Sequence, residues 1–412
     1  MDARQMCDGV DRRRFLALGG AVAAAAAMAP RVALAATAGD SRLVLIQLRG
    51  GMDGLAAVPP IGDPHYASAR GDLALPADRL LALDGLFALH PSLASLHALY
   101  RAGEAVVCHA MSTPYRDRSH FDGQDVLENG LADPAAARDG WLARSLAELP
   151  GGARDGETAV ALARSMPLVL RGSPAATSWA PSVVPQADDD LIDRVAMMYE
   201  ADPLLSTALD KARMAAEMAG EAANQMAGKR ARKIGRNRVG AHVIKLLTQA
   251  TAGFLAQETG PRIAVLDLGG WDTHSGQGQL SGRLSNQLTM LDTALAGLRE
   301  GLAPVWDRTA ILVATEFGRT VAMNGSGGTD HGIASAAFLA GGAVAGGRVV
   351  ADWPGLARAA LWQGRDLAPT GDLRALFKAV LADHMGVAPR ALADRVFPDS
   401  GRAAPVTDLI KA

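Results

Sequence analysis

The stretch from Ala310 to Gly332 reads AILVATEFGRTVAMNGSGGTDHG, and its two halves obey different chemistries. Ala310-Ile311-Leu312-Val313-Ala314 is a continuous, partly β-branched apolar run, the pattern of a strand buried on both faces of a sheet. Polar chemistry begins where that run stops: Thr315, Glu316, Arg319 and Thr320, then a Gly/Ser/Asn loop, then Thr329-Asp330-His331-Gly332. In open α/β sheets ligands bind outside the carboxyl ends of the strands. The stretch therefore predicts an α/β fold with a site at the carboxyl edge of its sheet, made from Glu316, Arg319, Asp330 and His331. A plainer alternative uses the same residues without a site: Glu316 pairs with Arg319, and Asp330 caps a turn.

Two further stretches repeat the arrangement. Leu43 to Leu48 reads as a strand and runs into Arg49-Gly50-Gly51-Met52-Asp53-Gly54. Paired glycines let the backbone turn tightly and bring Asp53 to the strand's carboxyl end, although Asp-Gly is also ordinary turn chemistry. Arg262 to Leu268 is another strand, followed by Gly269-Gly270-Trp271-Asp272-Thr273-His274. The next helix carries leucines at 284, 288, 291, 295, 298 and 302, all on one face. An Asp-x-His pair in such a turn, with both side chains free to converge, is a metal half-site.

A strand over residues 104–109 leads into Met111 to Asp125, a loop dense in reactive side chains. Ser119 and Asp122 have capping-box spacing, which predicts that Ser119 caps a helix ending at Gly130. The same position suits a nucleophile, because the positive end of a helix dipole favours an attacking oxyanion. Spacing does not separate the two roles. Residues 159–162 and 168–170 read as small strands, and 373–385 as a final helix. Residues 187–256 lack any strand pattern and read as an inserted helical subdomain, expected to cover the strand ends. The basic run from Lys229 to Arg238 within it reads as a solvated face.

Composition removes several classes. At 49% hydrophobic and 20% charged residues, the 412-residue chain is neither disordered nor fibrous. A net charge of -2 gives no electrostatic reason to expect nucleic acid. No apolar stretch is long and strong enough to predict a membrane span in the mature chain. Asp11-Arg12-Arg13-Arg14-Phe15-Leu16 fits the twin-arginine export pattern, and small residues allow cleavage after Ala35 or Ala38. Residues 1–38 are thus expected to be a signal peptide, and the mature protein periplasmic or secreted. Cys7 leaves with that segment, so Cys108 stands alone in an apolar run and reads as a buried, inert thiol.

The ordered motifs Arg49-Gly-Gly-Met-Asp-Gly54, Leu89-His-Pro91, Arg118-Ser-His-Phe-Asp122, Gly140-Trp141, Gly270-Trp-Asp-Thr-His274, Thr315-Glu-Phe-Gly-Arg-Thr320, Gly328-Thr-Asp-His-Gly332 and Trp353-Pro-Gly-Leu356 together resemble the domain-of-unknown-function 1501 family. That family is similar to the alkaline phosphatase and sulfatase superfamily. The resemblance implies a three-layer α/β sandwich with a mostly parallel central sheet and metal sites at the strand ends. It implies Asp53 as an acidic metal ligand after the first strand and Ser119 as a hydroxyl nucleophile. Asp272 and His274 would share one metal that His331 completes, with Asp330 beside it and Glu316 as the remaining acid. Phe317 stands where the superfamily has a histidine next to that acid. The expectation is therefore one tightly held ion (zinc, manganese or iron), with the second position empty or holding a hard cation loosely.

The function this implies is metal-dependent hydrolysis of a small anionic phosphate or sulfate ester. Ser119 would attack, and Arg319 would steady charge on the transferring group. The alternative is a non-catalytic envelope protein that uses the fold, with one structural metal, to bind a protein partner.

Overall fold

A computed structural model of the chain describes residues 40–151, 158–180, 195–196, 198–199, 202–209 and 236–411. The twin-arginine stretch, the basic residues Lys229 to Lys233 and most of the block 187–256 lie outside these residues.

Among the described residues nine strands form the main sheet. They are β1 (Arg42–Arg49), β2 (Ala105–Ser112), β3 (Ala159–Ala161), β4 (Ala176–Ser178), β5 (Ile263–Gly269), β6 (Thr309–Thr315), β7 (Ser335–Ala340), β8 (Arg348–Val350) and β9 (Gly371–Asp372). The spatial order is β8-β2-β7-β6-β1-β5-β3-β4, with β9 paired to β2 beyond the end of β8. Only β7 runs against its neighbours, pairing antiparallel with both β2 and β6. The centre, β6-β1-β5, is parallel and in continuous register, so that Leu48 lies beside Leu268 and Thr315. All three polar turns read from the sequence therefore leave the sheet at one edge.

The apolar runs of these strands are continuous because both faces are covered. Val44, Ile46 and Leu48 point to one side, where they meet helices α1 (Ala94–Arg101), α4 (Arg236–Leu255) and α5 (Arg283–Gly301). Leu43 and Leu45 point to the other, under α3 (Trp141–Leu146), α6 (Leu373–Ala379) and the carboxyl-terminal segment. A further helix, α2 (His120–Asn129), follows β2 and ends at Gly130, whose φ of 73° closes it in the left-handed conformation. The α/β sandwich with a mostly parallel central sheet is what the chain forms.

Two expectations are revised. Leu168–Leu170 is a buried 3-10 turn between Pro167 and Arg171, and the outer strand is Ala176–Ser178 instead. The amide of Val169 donates to Glu128 Oε2 at 2.9 Å, so it is spent on a side chain rather than on a ladder. A three-residue apolar run holds no periodicity that would have told turn from strand. The second revision concerns the end of the block 187–256. Arg236–Leu255 is a layer helix of the sandwich, with Ile244, Leu246, Ala250, Phe254 and Leu255 buried in the same core as β1.

Candidate metal centre at the carboxyl edge of the sheet

Four segments meet beyond the ends of β1, β2, β5 and β6. The β1 turn depends on Gly50 (φ 123°) and Gly51 (φ 72°). A Cβ on Gly50 would sit 2.6 Å from the amide nitrogen of Asp272, so only glycine lets the β1 and β5 turns pass this closely. After β6 the chain doubles back. Gly318 donates to Ile333 O and Gly332 to Gly318 O, and Arg319 and His331 form an isolated bridge. This brings His331 to the end of the strand that precedes Glu316. From the β2 side, α2 starts at His120, so its first residue faces the same edge.

The result is a cluster of three imidazoles and one carboxylate. His120, Asp272 and His331 each bring a ligating atom within 4.8 Å of the other two. His274 adds a third ring: its Nε2 is 2.9 Å from His331 Nε2 and 3.2 Å from Asp272 Oδ1. On each ring the other nitrogen is held by an oxygen. His120 Nδ1 is 2.9 Å from Glu316 Oε1, His331 Nδ1 is 2.8 Å from the Arg118 carbonyl, and His274 Nδ1 is 3.2 Å from Asp330 Oδ1. Carbonyls and carboxylates only accept, so each Nδ1 is the donor of its pair and Nε2 is the atom each ring turns towards the cluster. Among the described residues His120 Nε2 is buried with no hydrogen-bond partner.

This donor set fits a divalent cation. Outer oxygen partners that fix the tautomer and aim Nε2 are the usual surroundings of histidines bound to metal. His274 and His331 face one another through Nε2 at 2.9 Å, a contact that one shared proton or a bound cation satisfies. Imidazole and carboxylate together suit zinc, manganese or iron. His120, His274, His331 and Asp272 would hold the ion, with Glu316, Asp330 and the Arg118 carbonyl behind them.

The charges agree with this placement. Burial by itself would push the Glu316 carboxyl up; the hydrogen bonds from His120, from backbone amides including that of Gly50, and from Thr315 outweigh it and hold the group below the ordinary range. Burial likewise raises Asp272, but the hydrogen bond and charge of Arg319, then the charges of His274 and His120, bring it below normal. Asp330 is lowered chiefly by the Asn324 amide. Burial lowers His331, and the charges of His120, Arg319 and His274 add to that, which favours the neutral ring a metal requires.

Several expected residues take other roles. Asp53 is fully buried, and its oxygens are committed to the amides of Leu55 and Ala56, to Gln277 at 2.7 Å and to Arg70 at 2.6 Å. It caps the one-turn helix Gly54–Ala57 and is not among the residues that converge on the cluster. Arg319 is buried among the turns rather than held out towards an oxyanion. It spends its guanidinium on the carbonyls of Gly50, Gly51, Trp271 and Thr329 and on Asp272, so it binds the turns together and orients that carboxylate. Glu316 serves behind His120 and does not pair with Arg319. Ser119 occupies the N-cap position with extended backbone, yet its side chain makes no capping bond.

The sequence reading missed His120 as a ligand. Its signal was adjacency to Ser119 at the head of a helix, within Arg118-Ser-His-Phe-Asp122. Arg118 was also missed. Its φ of 62° is left-handed, a costly conformation for a side-chain-bearing residue, and such strain gathers at functional sites. Its guanidinium is tied to buried Asp366 at 2.7 Å, which holds that strained carbonyl against His331.

A family model described as "Protein of unknown function (DUF1501)" matches residues 87–396, well over half of the chain and every residue of the cluster. The chain belongs to that family. No functionally curated protein matches this DUF1501 chain. Among solved structures it is similar to the phosphonate monoester hydrolase of Agrobacterium radiobacter, at 11% identity and TM-score 0.41, covering 84% of this chain and 74% of that one. It is similar to the PsFucS1 sulfatase from Pseudoalteromonas sp., at 13% and 0.35, covering 83% and 68%. It is also similar to the C-terminal periplasmic domain of EcEptC from Escherichia coli in complex with Zn, at 10% and 0.37, covering 73% of each. Likenesses this distant say nothing about the residues of the DUF1501 site.

Proposed function

We propose that this protein is an exported, metal-dependent hydrolase of phosphate or sulfate esters. The observation that carries the reading is the set of three histidines, each with Nδ1 fixed by an oxygen and Nε2 turned inward beside Asp272. A cation bound there would supply Lewis-acid polarisation of an ester oxygen. Ser119 is the candidate nucleophile: it lies next to His120 at the start of a ten-residue helix, and its hydroxyl is not used as a cap. The helix dipole there favours an attacking oxyanion and an anionic substrate. Asp272, oriented by Arg319, and the three rings would fix the ion, and the oxygens behind them aim those rings. The twin-arginine pattern at Arg12-Arg13 supports a periplasmic place of action.

The test is a panel of aryl phosphate monoesters, diesters and sulfates, run on protein exported by its host and assayed for metal content. Hydrolysis of one class, abolished by Ser119→Ala with metal content unchanged, is the expected result. Metal-loaded protein inert on the whole panel would favour a second reading, an envelope protein that binds a partner through a structural metal site. One observation supports that alternative. Phe121, next to His120, is 84% exposed, and a large apolar side chain in that position suits a contact surface.

A further inference from the structure

Beside the metal centre the loop after Val321 and the segment from Leu356 to Arg365 line an open cavity of about 410 Å³. We propose that this cavity is a binding site for a small amphipathic anion, an apolar body carrying one carboxylate, sulfonate or phosphate head. Its walls include the apolar side chains of Val321, Leu356 and Leu361, with Arg358, Arg365 and His65 also lining it. The volume lies in the range of pockets that hold small ligands and cofactors, which are mostly apolar with a few convergent polar groups.

Charge decides the class of ligand. No acidic residue lines the cavity. Two carboxylates stand close behind it, and both are buried and do not line it. Asp63 accepts from the amides of His65 and Leu356 and from the Trp353 indole, at 2.8, 3.0 and 2.9 Å. Asp366 is paired with Arg118 at 2.7 Å and lies 3.8 Å from Arg365 Nε. Arg365 is thus partly balanced and is anchored by a hydrogen bond to the His331 carbonyl at 2.9 Å. Arg358 is exposed and has no acidic partner among the described residues. The uncompensated charge at an otherwise apolar cavity is therefore positive. A neutral apolar ligand would leave Arg358 unused, and a polyanion would have to place charge against Val321 and Leu361, where burial without partners is costly.

The binding does not depend on the reaction at the metal centre, so it is tested directly. The probes are the fluorescent anion anilinonaphthalene sulfonate and its uncharged counterpart phenylnaphthylamine, titrated into the full mature protein. The sulfonate is expected to bind saturably and more tightly than the neutral compound. Arg358→Ala should weaken the sulfonate about tenfold, the loss of one hydrogen bond to a charged group, while leaving the neutral compound unchanged. Ala69→Trp, which fills the cavity, should remove both, and Arg358→Glu should reverse the preference without needing a change in the core. Absence of saturable binding to the wild type would overturn the proposal. Sulfonate affinity unchanged in Arg358→Ala and Arg358→Glu, or dye binding that survives Ala69→Trp in a folded protein, would overturn it equally.

Discussion

The Nε2 atoms of His274 and His331 lie 2.9 Å apart, while their Nδ1 atoms lie 3.2 Å from Asp330 Oδ1 and 2.8 Å from the Arg118 carbonyl. The ligating atoms of His331, His120 and Asp272 lie within 4.8 Å of one another, and a cation held by them would have His274 as its next neighbour. Phe317 offers no ligand atom, and its ring lies tilted against His120 with centroids 4.8 Å apart. One equivalent of zinc, manganese or iron is therefore expected in protein isolated without chelators. His274→Ala and His331→Ala should each lose it on dialysis. Elemental analysis checks this directly, and two equivalents of zinc or a complete absence of metal would both refute it.

Glu316 lies one step behind the ion. Its Oε1 takes the His120 proton, the Gly50 amide at 2.8 Å and Gln124 Nε2 at 3.3 Å. Glu316→Gln would replace an acceptor of several protons with a group that also donates, and would weaken the hold on His120. Changing an outer partner of this kind typically costs 10 to 100-fold in metal affinity, and about that loss is expected here. Competition with a chromophoric chelator measures it. An affinity within twofold of wild type would mean that His120 is not held for metal binding.

Asp53 makes the opposite case. With Arg70 it forms a fully buried pair whose guanidinium also reaches the carbonyls of Thr320 and Val321. Asp53→Ala leaves Arg70 buried and unpaired, which costs about 3–5 kcal/mol. Urea denaturation should record that loss, while the folded fraction keeps its metal. Loss of metal at full stability would restore Asp53 as a ligand.

How much of this was legible beforehand follows from where the information resides. Strands buried on both faces announce themselves as apolar runs, and the turns after β1, β5 and β6 announce themselves as glycines followed by acids and histidines. The sheet edge and three of the four proposed ligands could thus be read in order along the chain. The roles of Asp53, Arg319 and Glu316 could not, because a carboxylate or guanidinium looks the same whether it faces a ligand or a neighbouring backbone. Only the crossing of the β1 and β5 turns at Gly50 decides that Arg319 is consumed by carbonyls. His120 was hidden for a related reason: its relevance depends on the register of α2 against the loop that returns to His331. The small strand misplaced at 168–170 had too few residues to carry a period.

The last prediction concerns acid stability and a histidine outside the site. His109 is buried on β2, with its Nε2 3.0 Å from the Val58 carbonyl and its Nδ1 2.7 Å from the Ala110 amide. Its ring packs between Phe87 and Trp353, with centroids 5.2 and 5.1 Å away. Burial pushes its pKa down from 6.5 to about 4, against the raising effect of the Val58 and Gly54 carbonyls and the charge of Asp53. The unfolded chain protonates this histidine near pH 6.5 and the folded one only near pH 4. Between those values the unfolded state binds the extra proton, so stability is fully present above pH 6.5 and falls as the pH drops towards 4. The size of the loss from this one group is about 3 kcal/mol, taking each pKa unit as 1.36 kcal/mol. His384, buried and also lowered chiefly by burial, adds a loss of the same sign. His109→Phe keeps a ring between Phe87 and Trp353 but cannot take up a proton. It should be less stable than wild type at neutral pH, having lost the two hydrogen bonds, yet lose less stability on acidification. Urea midpoints at pH 7 and pH 4.5 for both proteins give the comparison, in which contributions from the metal centre and from His384 cancel. An equal loss in the two proteins would show that His109 is already charged in the fold.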